Sequence, residues 1–201
     1  MNADRIAGLP VIGKLILVVG PSGVGKDSLI DAARRHFAGK EELLFPARHI
    51  TRPADAGGEA HVAISKDEFI ARQAAGVYCL SWQAHGLDYG IPRAQAFAAI
   101  GLGKCVLINV SRRIVPQAEA LGVPVAVLHV TAQPQTLARR LAARGRESAE
   151  DIAARLQREA PLLTRAAPVI EIANDADLAA GEAAFIAAVE RLTQRKHDAT
   201  Q

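Results

Sequence analysis

A glycine-rich stretch at residues 20–27 constrains this chain more than any other feature. It follows an apolar, β-branched run, Leu15 to Val19, and precedes a helical pattern from Asp27 to Phe37. This is the context of a phosphate-binding loop, in which free N–H groups at the helix start point at the anion. A plain turn with a surface lysine is disfavoured, because residue types, spacing and flanks agree. The residues predicted to cradle a polyphosphate are Gly20, Pro21, Ser22, Gly23, Val24, Gly25, Lys26, Asp27 and Ser28.

Two charged residues close the stretch. Lys26 supplies a point charge for the β- and γ-phosphates, and we predict that it is catalytic. The Ser or Thr that usually follows this lysine is replaced by Asp27. A carboxylate beside a triphosphate is repelled unless a cation lies between them, so Asp27 is predicted to bind Mg²⁺, directly or through water. The alternative is that Asp27 points away and caps the helix N-terminus.

Composition sets the class of protein. The 201 residues fit one domain, and 50% apolar with 22% charged residues is an ordinary globular balance. A net charge of +3 suits an anionic substrate, but there is no long Lys/Arg run of the nucleic-acid-binding kind. Cys79 and Cys105 lie in apolar segments without CxxC spacing, which indicates buried thiols in a reducing cytoplasm. No apolar run approaches the roughly 18 residues of a membrane span, and no signal peptide is predicted.

Apolar runs alternate with helical patterns, which favours an α/β fold with a parallel sheet covered on both faces. We also predict a charged loop over 51–61 and a turn over 85–90. Strands are predicted at 15–19, 43–50, 78–82, 105–110, 123–130 and 169–172. Helices are predicted at 27–37, 65–75, 92–101, after Ser111, and at 131–143, 148–163 and 181–195.

A second candidate functional site is a cluster of six arginines between Arg139 and Arg158. Gly145 interrupts its helical pattern and could act as a hinge. Guanidinium groups on a movable flap could close on a transferring phosphoryl group. We favour this role for Arg144 and Arg146, beside the glycine, whereas Arg139 and Arg158 are expected on a solvated helix face.

Several motifs together resemble those of the guanylate kinases. They are, in order, residues 20–26, Thr51-Arg52-Pro53 with Gly58-Glu59, His85-Gly86 with Tyr89-Gly90, the arginine-rich segment 140–155, and Asn174-Asp175. The likeness implies one P-loop NTPase domain at 14–195 with a three-layer α/β/α fold and ATP on the glycine-rich loop. It further implies an acceptor-binding insertion at about 46–93, a lid at about 138–160, and flexible ends at 1–13 and 196–201.

The resemblance also implies roles for single residues. In that family the Arg of Thr-Arg-Pro and the Tyr of Tyr-Gly hold the acceptor phosphate, which points to Arg52 and Tyr89. The Asn of the Asn-Asp pair lies by the adenine, which points to Asn174.

Departures from the guanylate kinase pattern concern the acceptor and the metal. Asp55 stands where a second phosphate-binding Arg is expected, and Ser81 stands where the guanine-reading Glu is expected. Asn109 and Ser111 replace a pair of acidic residues. We interpret the loss of those acids and the gain of Asp27 as a relocation of the carboxylate near Mg²⁺.

With these departures, the sequence resembles a sister family, the ribose 1,5-bisphosphate phosphokinases of bacterial phosphonate breakdown. The matching segments are 20–29, 50–53 with 57–61, 81–92, 109–112 and 144–147. The resemblance implies a cytoplasmic kinase that converts ATP and ribose 1,5-bisphosphate to ADP and 5-phosphoribosyl 1-diphosphate (PRPP). Further contacts to this small phosphorylated sugar are predicted at Glu59, His61, His85 and Arg93. His61 and His85 could equally be loop histidines with local hydrogen bonds.

Three rival readings remain at this point. An ordinary guanylate kinase would use GMP, but Ser81 lacks the base-reading carboxylate. A binding module without catalysis would not need Gly25 and Lys26. Nucleic-acid binding has a basic pI in its favour but lacks interleaved aromatic residues. The chain is expected to act without nucleic acid or membrane, possibly as a homodimer.

Overall fold

The computed structural model describes residues 13–54, 61–143 and 161–194. The predicted flexible ends fall outside these ranges, apart from residue 13. Among the described helices, none is both long enough and apolar enough to cross a bilayer.

The described residues form nine strands and six α-helices. The strands are β1 (Leu15–Val19), β2 (Leu43–Leu44), β3 (His49–Ile50), β4 (Val62–Ala63), β5 (Tyr78–Ala84), β6 (Leu87–Pro92), β7 (Cys105–Asn109), β8 (Val125–Thr131) and β9 (Val169–Ala173). The helices are α1 (Lys26–His36), α2 (Lys66–Ala74), α3 (Arg93–Gly101), α4 (Val115–Glu119), α5 (Pro134–Ala142) and α6 (Leu178–Thr193), with a 3₁₀ turn at Arg112–Ile114 before α4.

The central sheet is parallel throughout, in the order β2-β7-β1-β8-β9. Its middle strand β1 is completely buried along all five residues. Apolar residues on both faces of a strand are typical of a parallel sheet that is covered on both sides. The predicted α/β class is therefore confirmed.

Side chains of β1 alternate between the two cores. Ile16 and Val18 pack in one cluster with Leu29 of α1 and Phe185 of α6. The remaining residues of β1 pack in the other cluster, which includes Ile100 of α3. The period of two along the strand thus gives one sheet with a helical layer on each face.

A second, mixed sheet was not predicted. Its order is β4-β3-β6-β5, with β3 parallel to β4 and antiparallel to β6. The prediction of a single strand over 43–50 is wrong, because this segment forms two short strands in different sheets. β2 joins the central sheet and β3 the second, and Pro46 lies between them. Proline has no N–H for a sheet ladder, so an uninterrupted central strand through Pro46 is disfavoured.

The predicted turn over 85–90 is also too long. Ala84 pairs with Leu87, so the hairpin between β5 and β6 closes with His85 and Gly86. Their φ angles are 52° and 73°. Left-handed conformations at both positions are typical of a two-residue hairpin turn. Tyr89 and Gly90, predicted in a turn, therefore lie in a strand.

Helix starts follow their capping residues. Ser65 caps α2 by accepting a hydrogen bond from the Glu68 N–H at 3.1 Å, as its capping-box pattern predicts. Asp177 caps α6 by accepting from the Ala180 N–H at 2.8 Å. The helix therefore begins at Leu178, before the predicted start at Gly181, because the Asp177 cap and not the apolar pattern sets its first turn.

Towards the C-terminus, α5 is shorter than predicted. It starts at Pro134 rather than Thr131, because Thr131 ends β8. The predicted helix over 148–163 falls outside the described residues as far as 160, and residues 161–163 are not helical.

Glu119, at the end of α4, accepts hydrogen bonds from residues 164–167, which precede β9. Its carboxylate accepts the N–H groups of Arg165, Ala166 and Ala167 at 2.8–3.0 Å and the Thr164 hydroxyl at 2.7 Å. These hydrogen bonds favour the charged form and lower the pKa of Glu119 to about 2.

The depressed pKa of Glu119 predicts acid sensitivity. Its stabilising contribution is complete above the ordinary carboxyl pKa and is lost as the pH falls towards about 2. We expect Glu119→Gln to lower the free energy of unfolding at pH 7 and to flatten its decline between neutral and acidic pH, measured by urea denaturation. Glu182→Gln, which removes a surface carboxylate paired with Arg35, should keep the wild-type pH profile. A Glu119→Gln profile parallel to wild type would contradict this role.

Candidate active site

The glycine-rich loop connects β1 to the N-terminus of α1, as predicted. Gly20, Gly23 and Gly25 have φ angles of 151°, 85° and 97°, which side chains rarely tolerate. A Cβ at Gly20 would lie 2.2 Å from the Val130 carbonyl oxygen. The backbone therefore makes a tight turn that larger residues would disrupt, and it ends at the start of a helix suited to an anion.

Lys26 lies over this loop. Its Nζ donates hydrogen bonds to the Gly20 and Pro21 carbonyl oxygens at 2.8 and 2.9 Å. The ammonium group is thereby held at the turn whose N–H groups would bind phosphate. It needs a small rotation of a flexible side chain to meet a β- or γ-phosphate.

Asn174, predicted beside the adenine, lies beneath the phosphate-binding loop. Its side chain is 2% exposed, and Nδ2 donates a 2.7 Å hydrogen bond to the Val24 carbonyl oxygen. A Cβ at Gly25 would lie 2.8 Å from Nδ2, and one at Gly181 of α6 would lie 2.2 Å from Oδ1. Asn174 thus supports the loop from below, and a glycine inside α6 makes room for it. Contact with adenine stays a prediction.

Asp27 lies in the exposed first turn of α1. One of its oxygens, Oδ1, accepts a 2.9 Å hydrogen bond from Asn109 Nδ2 at the end of β7. Mg²⁺ prefers oxygen ligands and usually keeps one or two carboxylates, several waters and substrate phosphates. An exposed carboxylate one residue after Lys26 fits that pattern. No cluster of three or more His, Cys, Asp or Glu suited to a metal occurs among the described residues.

Arg48 is a site residue that sequence reasoning missed. Its side chain is buried, and Nη1 donates a 2.9 Å hydrogen bond to the Asn109 carbonyl oxygen. Asn109 therefore connects the loop before β3 to Asp27 at the start of α1. The signal in the sequence is an arginine within the apolar run 43–50, but a single strand over that run, as predicted, gives this arginine no role in the site.

An aromatic pair covers the Arg48 guanidinium. Trp82 and Tyr89 face each other across β5 and β6, with ring centroids 5.2 Å apart and planes 6° from parallel. The guanidinium carbon lies 5.3 Å from the Tyr89 centroid and 5.9 Å from that of Trp82. Cations are attracted to aromatic faces at such distances. Tyr89, predicted to hold the acceptor phosphate, is thus a direct neighbour of Arg48.

Arg52 and His61, both predicted to hold the acceptor, are paired with each other. His61 Nε2 lies 3.1 Å from the Arg52 carbonyl oxygen, and Arg52 Nη2 lies 3.2 Å from His61 Nδ1. Both bonds form in the tautomer in which Nε2 donates to the carbonyl and Nδ1 accepts from the guanidinium.

Two other predicted acceptor residues lie far apart. His85 is in the hairpin turn, and Arg93 follows β6 at the opposite end, with its guanidinium 5.2 Å from the Phe97 ring. At about 3.3 Å per residue the hairpin separates them by roughly 20 Å. Contacts of His85 and Arg93 with the acceptor stay predictions. Glu59, Arg144 and Arg146 lie outside the described residues.

The last turn of α5, where the predicted lid begins, lies against the phosphate-binding loop. Arg140 Nη1 donates a 3.3 Å hydrogen bond to the Val24 carbonyl oxygen. A Cβ at Gly23 would lie 2.9 Å from Leu141 Cδ2. The end of α5, which holds the first residues of the arginine-rich segment, therefore lies beside the loop.

A cavity of about 110 Å³ opens between α1, the loop before β3 and the end of β7. Its polar lining comes from both sides of the site: Asp27, Asp31 and Arg34 on α1, and Arg48 and Asn109 opposite. The cavity therefore lies between the phosphate-binding helix, the end of the central strand β7 and the loop that leads into the second sheet.

The buried Asn174 amide generates a prediction. Asn174→Ala should lower the free energy of unfolding by about 0.5–1.5 kcal/mol, because the Val24 carbonyl loses one buried hydrogen bond and keeps the one from Arg140. It should also weaken ATP binding measured by calorimetry, because the loop loses its support. Ser65→Ala removes a helix cap worth about 1 kcal/mol elsewhere and should keep the wild-type ATP affinity. Equal ATP affinity in both variants would count against the supporting role.

Comparison with known proteins agrees with this geometry. The guanylate kinase family model matches residues 12–175. Among solved structures, guanylate kinase from Anaplasma phagocytophilum superposes with a TM-score of 0.59 at 18% identity, covering 94% of this chain and 90% of that one. At that identity the likeness establishes the fold, which is the three-layer P-loop NTPase fold.

Closer relatives carry a narrower name. A ribose 1,5-bisphosphate phosphokinase PhnN from Rhizobium etli is 42% identical over 92% of this chain and 93% of its own length. One from Laribacter hongkongensis is 51% identical over 72% of this chain, and a bifunctional ribose 1,5-bisphosphokinase-thymidine phosphorylase from Azorhizobium caulinodans is 46% identical over 91%. The matches span 35% and 26% of those two longer proteins. The chain belongs to the guanylate kinase family and, within it, to the group that contains these relatives.

Proposed function

We propose that this protein transfers the γ-phosphoryl group of ATP to ribose 1,5-bisphosphate and releases ADP and PRPP. The observation that carries the proposal is the joint placement of a phosphate-binding loop and a second sheet with Arg52 and Tyr89, connected through Arg48, Asn109 and Asp27. The choice of ribose 1,5-bisphosphate as acceptor rests on the name of relatives that match along nearly their whole length, such as that from Rhizobium etli. A cytoplasmic location, a role in phosphonate breakdown and a homodimer stay predictions.

The reaction joins two anions. The acceptor is a phosphate that is already ionised near neutral pH, so no general base has to remove a proton. The barrier lies in bringing two negative groups into line, and positioning with charge neutralisation lowers it. Lys26, Arg52 and Tyr89 are suited to this task because they are cationic or donate hydrogen bonds, whereas the carboxylate of Asp27 would act through a bound cation.

The donor half of the site would hold ATP. N–H groups of residues 20–28 would bind its phosphates at the start of α1, and Lys26 would leave the Gly20 and Pro21 carbonyls to reach them. Asp27 would hold Mg²⁺, which when bound supplies positive charge to the phosphate oxygens. Asn109 orients the Asp27 carboxylate through its amide.

The acceptor half would place the 1-phosphate of the sugar opposite the γ-phosphate. Arg52 is oriented by His61, and Tyr89 is fixed against Trp82, so both can present donors without reorganising. Arg144 and Arg146 would add positive charge from the segment that leaves α5 beside the loop.

A nucleotide acceptor is less well supported. At the position of the guanine reader, the Ser81 hydroxyl accepts a 2.9 Å hydrogen bond from Gln73 Nε2. A site that selects a base by hydrogen bonding depends on such groups. We therefore expect a coupled ADP-release assay to give turnover with ribose 1,5-bisphosphate and little with GMP. The reverse preference would overturn the proposal.

Lys26→Ala should abolish turnover, because the point charge on the transferring group is lost, and should leave the fold intact, because the side chain is only half-buried. The measurement is ADP release, with circular dichroism as the check on folding. Lys40→Ala, at a surface lysine beside His36, is the matched control and should behave as wild type. A folded Lys26→Ala enzyme with normal turnover would refute the assignment.

Asp27→Ser should raise the Mg²⁺ concentration needed for half-maximal ADP release by at least about tenfold, as expected when metal ligation is impaired. Binding of ATP at graded Mg²⁺, followed by calorimetry, should shift in parallel. Asp67→Asn, on the distant first turn of α2, is the control. An unchanged Mg²⁺ titration of Asp27→Ser would show that Asp27 is not at the metal.

A further inference from the structure

The cavity beside α1 presents two arginines that the proposed reaction has not used. Arg34 lines it from α1, and Arg48 lines it from the loop before β3. These residues come from different layers of the fold, yet they face one space of about 110 Å³. A single water needs about 10–15 Å³ by a similar measure, so the space admits a small polyatomic anion.

Burial makes the Arg48 charge costly. The side chain is 9% exposed, and desolvation lowers the pKa of its guanidinium to about 10. Such a charge is retained when anions and hydrogen-bond acceptors surround it. Here the facing groups are the Asp27 carboxylate and the Asn109 carbonyl, with the rings of Trp82 and Tyr89 over the guanidinium. Arg52 is a nearby cation that opposes it.

The charges in the cavity are balanced before substrates bind. Asp27 and Asp31 line it together with Arg34 and Arg48, and Asp31 acts electrostatically on Arg34. In the proposed reaction Asp27 would hold Mg²⁺, and its negative charge would then be compensated by the metal as well as by Arg48. The positive charge of Arg34 and Arg48 would then favour an anion in the cavity.

The acceptor has an anion to offer. Ribose 1,5-bisphosphate carries two phosphates, and the proposed contacts of Arg52 and Tyr89 account for the one that receives the phosphoryl group. Arg48 is next to Tyr89 but faces α1, with Arg34 across the cavity. The cavity that Arg34 and Arg48 line is thus a candidate site for the second phosphate.

We propose that Arg48, assisted by Arg34, binds the phosphate of the acceptor that does not react, and so selects a sugar bisphosphate over a monophosphate. The inference rests on the proposed function. Arg48 carries the planar, delocalised guanidinium that suits phosphate recognition, and its position is fixed by Asn109 and the aromatic pair. Arg34, whose guanidinium lies 4.8 Å from the Phe45 ring, supplies a second charge from a more exposed position.

The test compares two acceptors, ribose 1,5-bisphosphate and ribose 1-phosphate, in the ADP-release assay. Wild type should prefer the bisphosphate. Arg48→Met should lower kcat/KM for the bisphosphate about 10- to 150-fold, mainly through KM, as expected for lost charge-assisted hydrogen bonds. Because Arg48 also links the two sheets, kcat/KM for ribose 1-phosphate should fall as well, but by a factor at least about three times smaller, so that the preference for the bisphosphate is reduced. Arg48→Lys should fall between the two, because it keeps the charge but loses the planar fork.

Arg34→Met provides a second variant at an exposed residue, so the inference stays testable if Arg48→Met does not fold. It should also reduce the preference for the bisphosphate, by a smaller factor. Arg35→Met, one position along α1 and paired with Glu182 on the surface, should keep the wild-type preference.

The outcomes separate this inference from the proposed function. Equal losses with both acceptors would show that Arg48 has a structural role and would overturn the inference. A wild-type enzyme that uses both acceptors equally would also overturn it, while the proposed kinase reaction would stand. A wild-type enzyme inactive with ribose 1,5-bisphosphate would overturn both.

Discussion

The tight turn of the phosphate-binding loop is the constraint on which the rest of the structure depends. Its backbone needs positive φ angles at Gly23 and Gly25, which glycine adopts readily and other residues rarely do. The buried Asn174 amide fixes it from below through the Val24 carbonyl, and Leu141 packs against it from α5. The segment after β9 and the end of α5 thus both contact this turn.

A second connection joins the two sheets. Arg48 contacts the end of the central sheet through the Asn109 carbonyl and contacts the second sheet through Tyr89. The Asn109 amide continues the connection to Asp27. Positioning of donor and acceptor is the main contribution that a protein makes to phosphoryl transfer, so a rigid link between the two halves has a direct chemical use.

Much of the site could be predicted because its signals are local. The strand, glycines and lysine of the loop are contiguous, and the Ser65 cap needs four residues. Arg48 could not be predicted, because its partners Asn109 and Tyr89 are distant along the chain. The second sheet was missed for a similar reason: β3 and β4 have two residues each, too few for a periodic pattern, and are defined by their pairing.

The sequence alone determined the parallel α/β core, the phosphate-binding loop and the resemblance to a kinase group, since apolar periodicity and contiguous motifs are properties of the chain itself. The tertiary structure decided which charges meet. It put Asn174 under the loop, paired Arg52 with His61, and separated His85 from Arg93 by the length of a hairpin. The physical reason is that hydrogen bonds and charge interactions act over a few ångströms in space, whatever the distance along the chain.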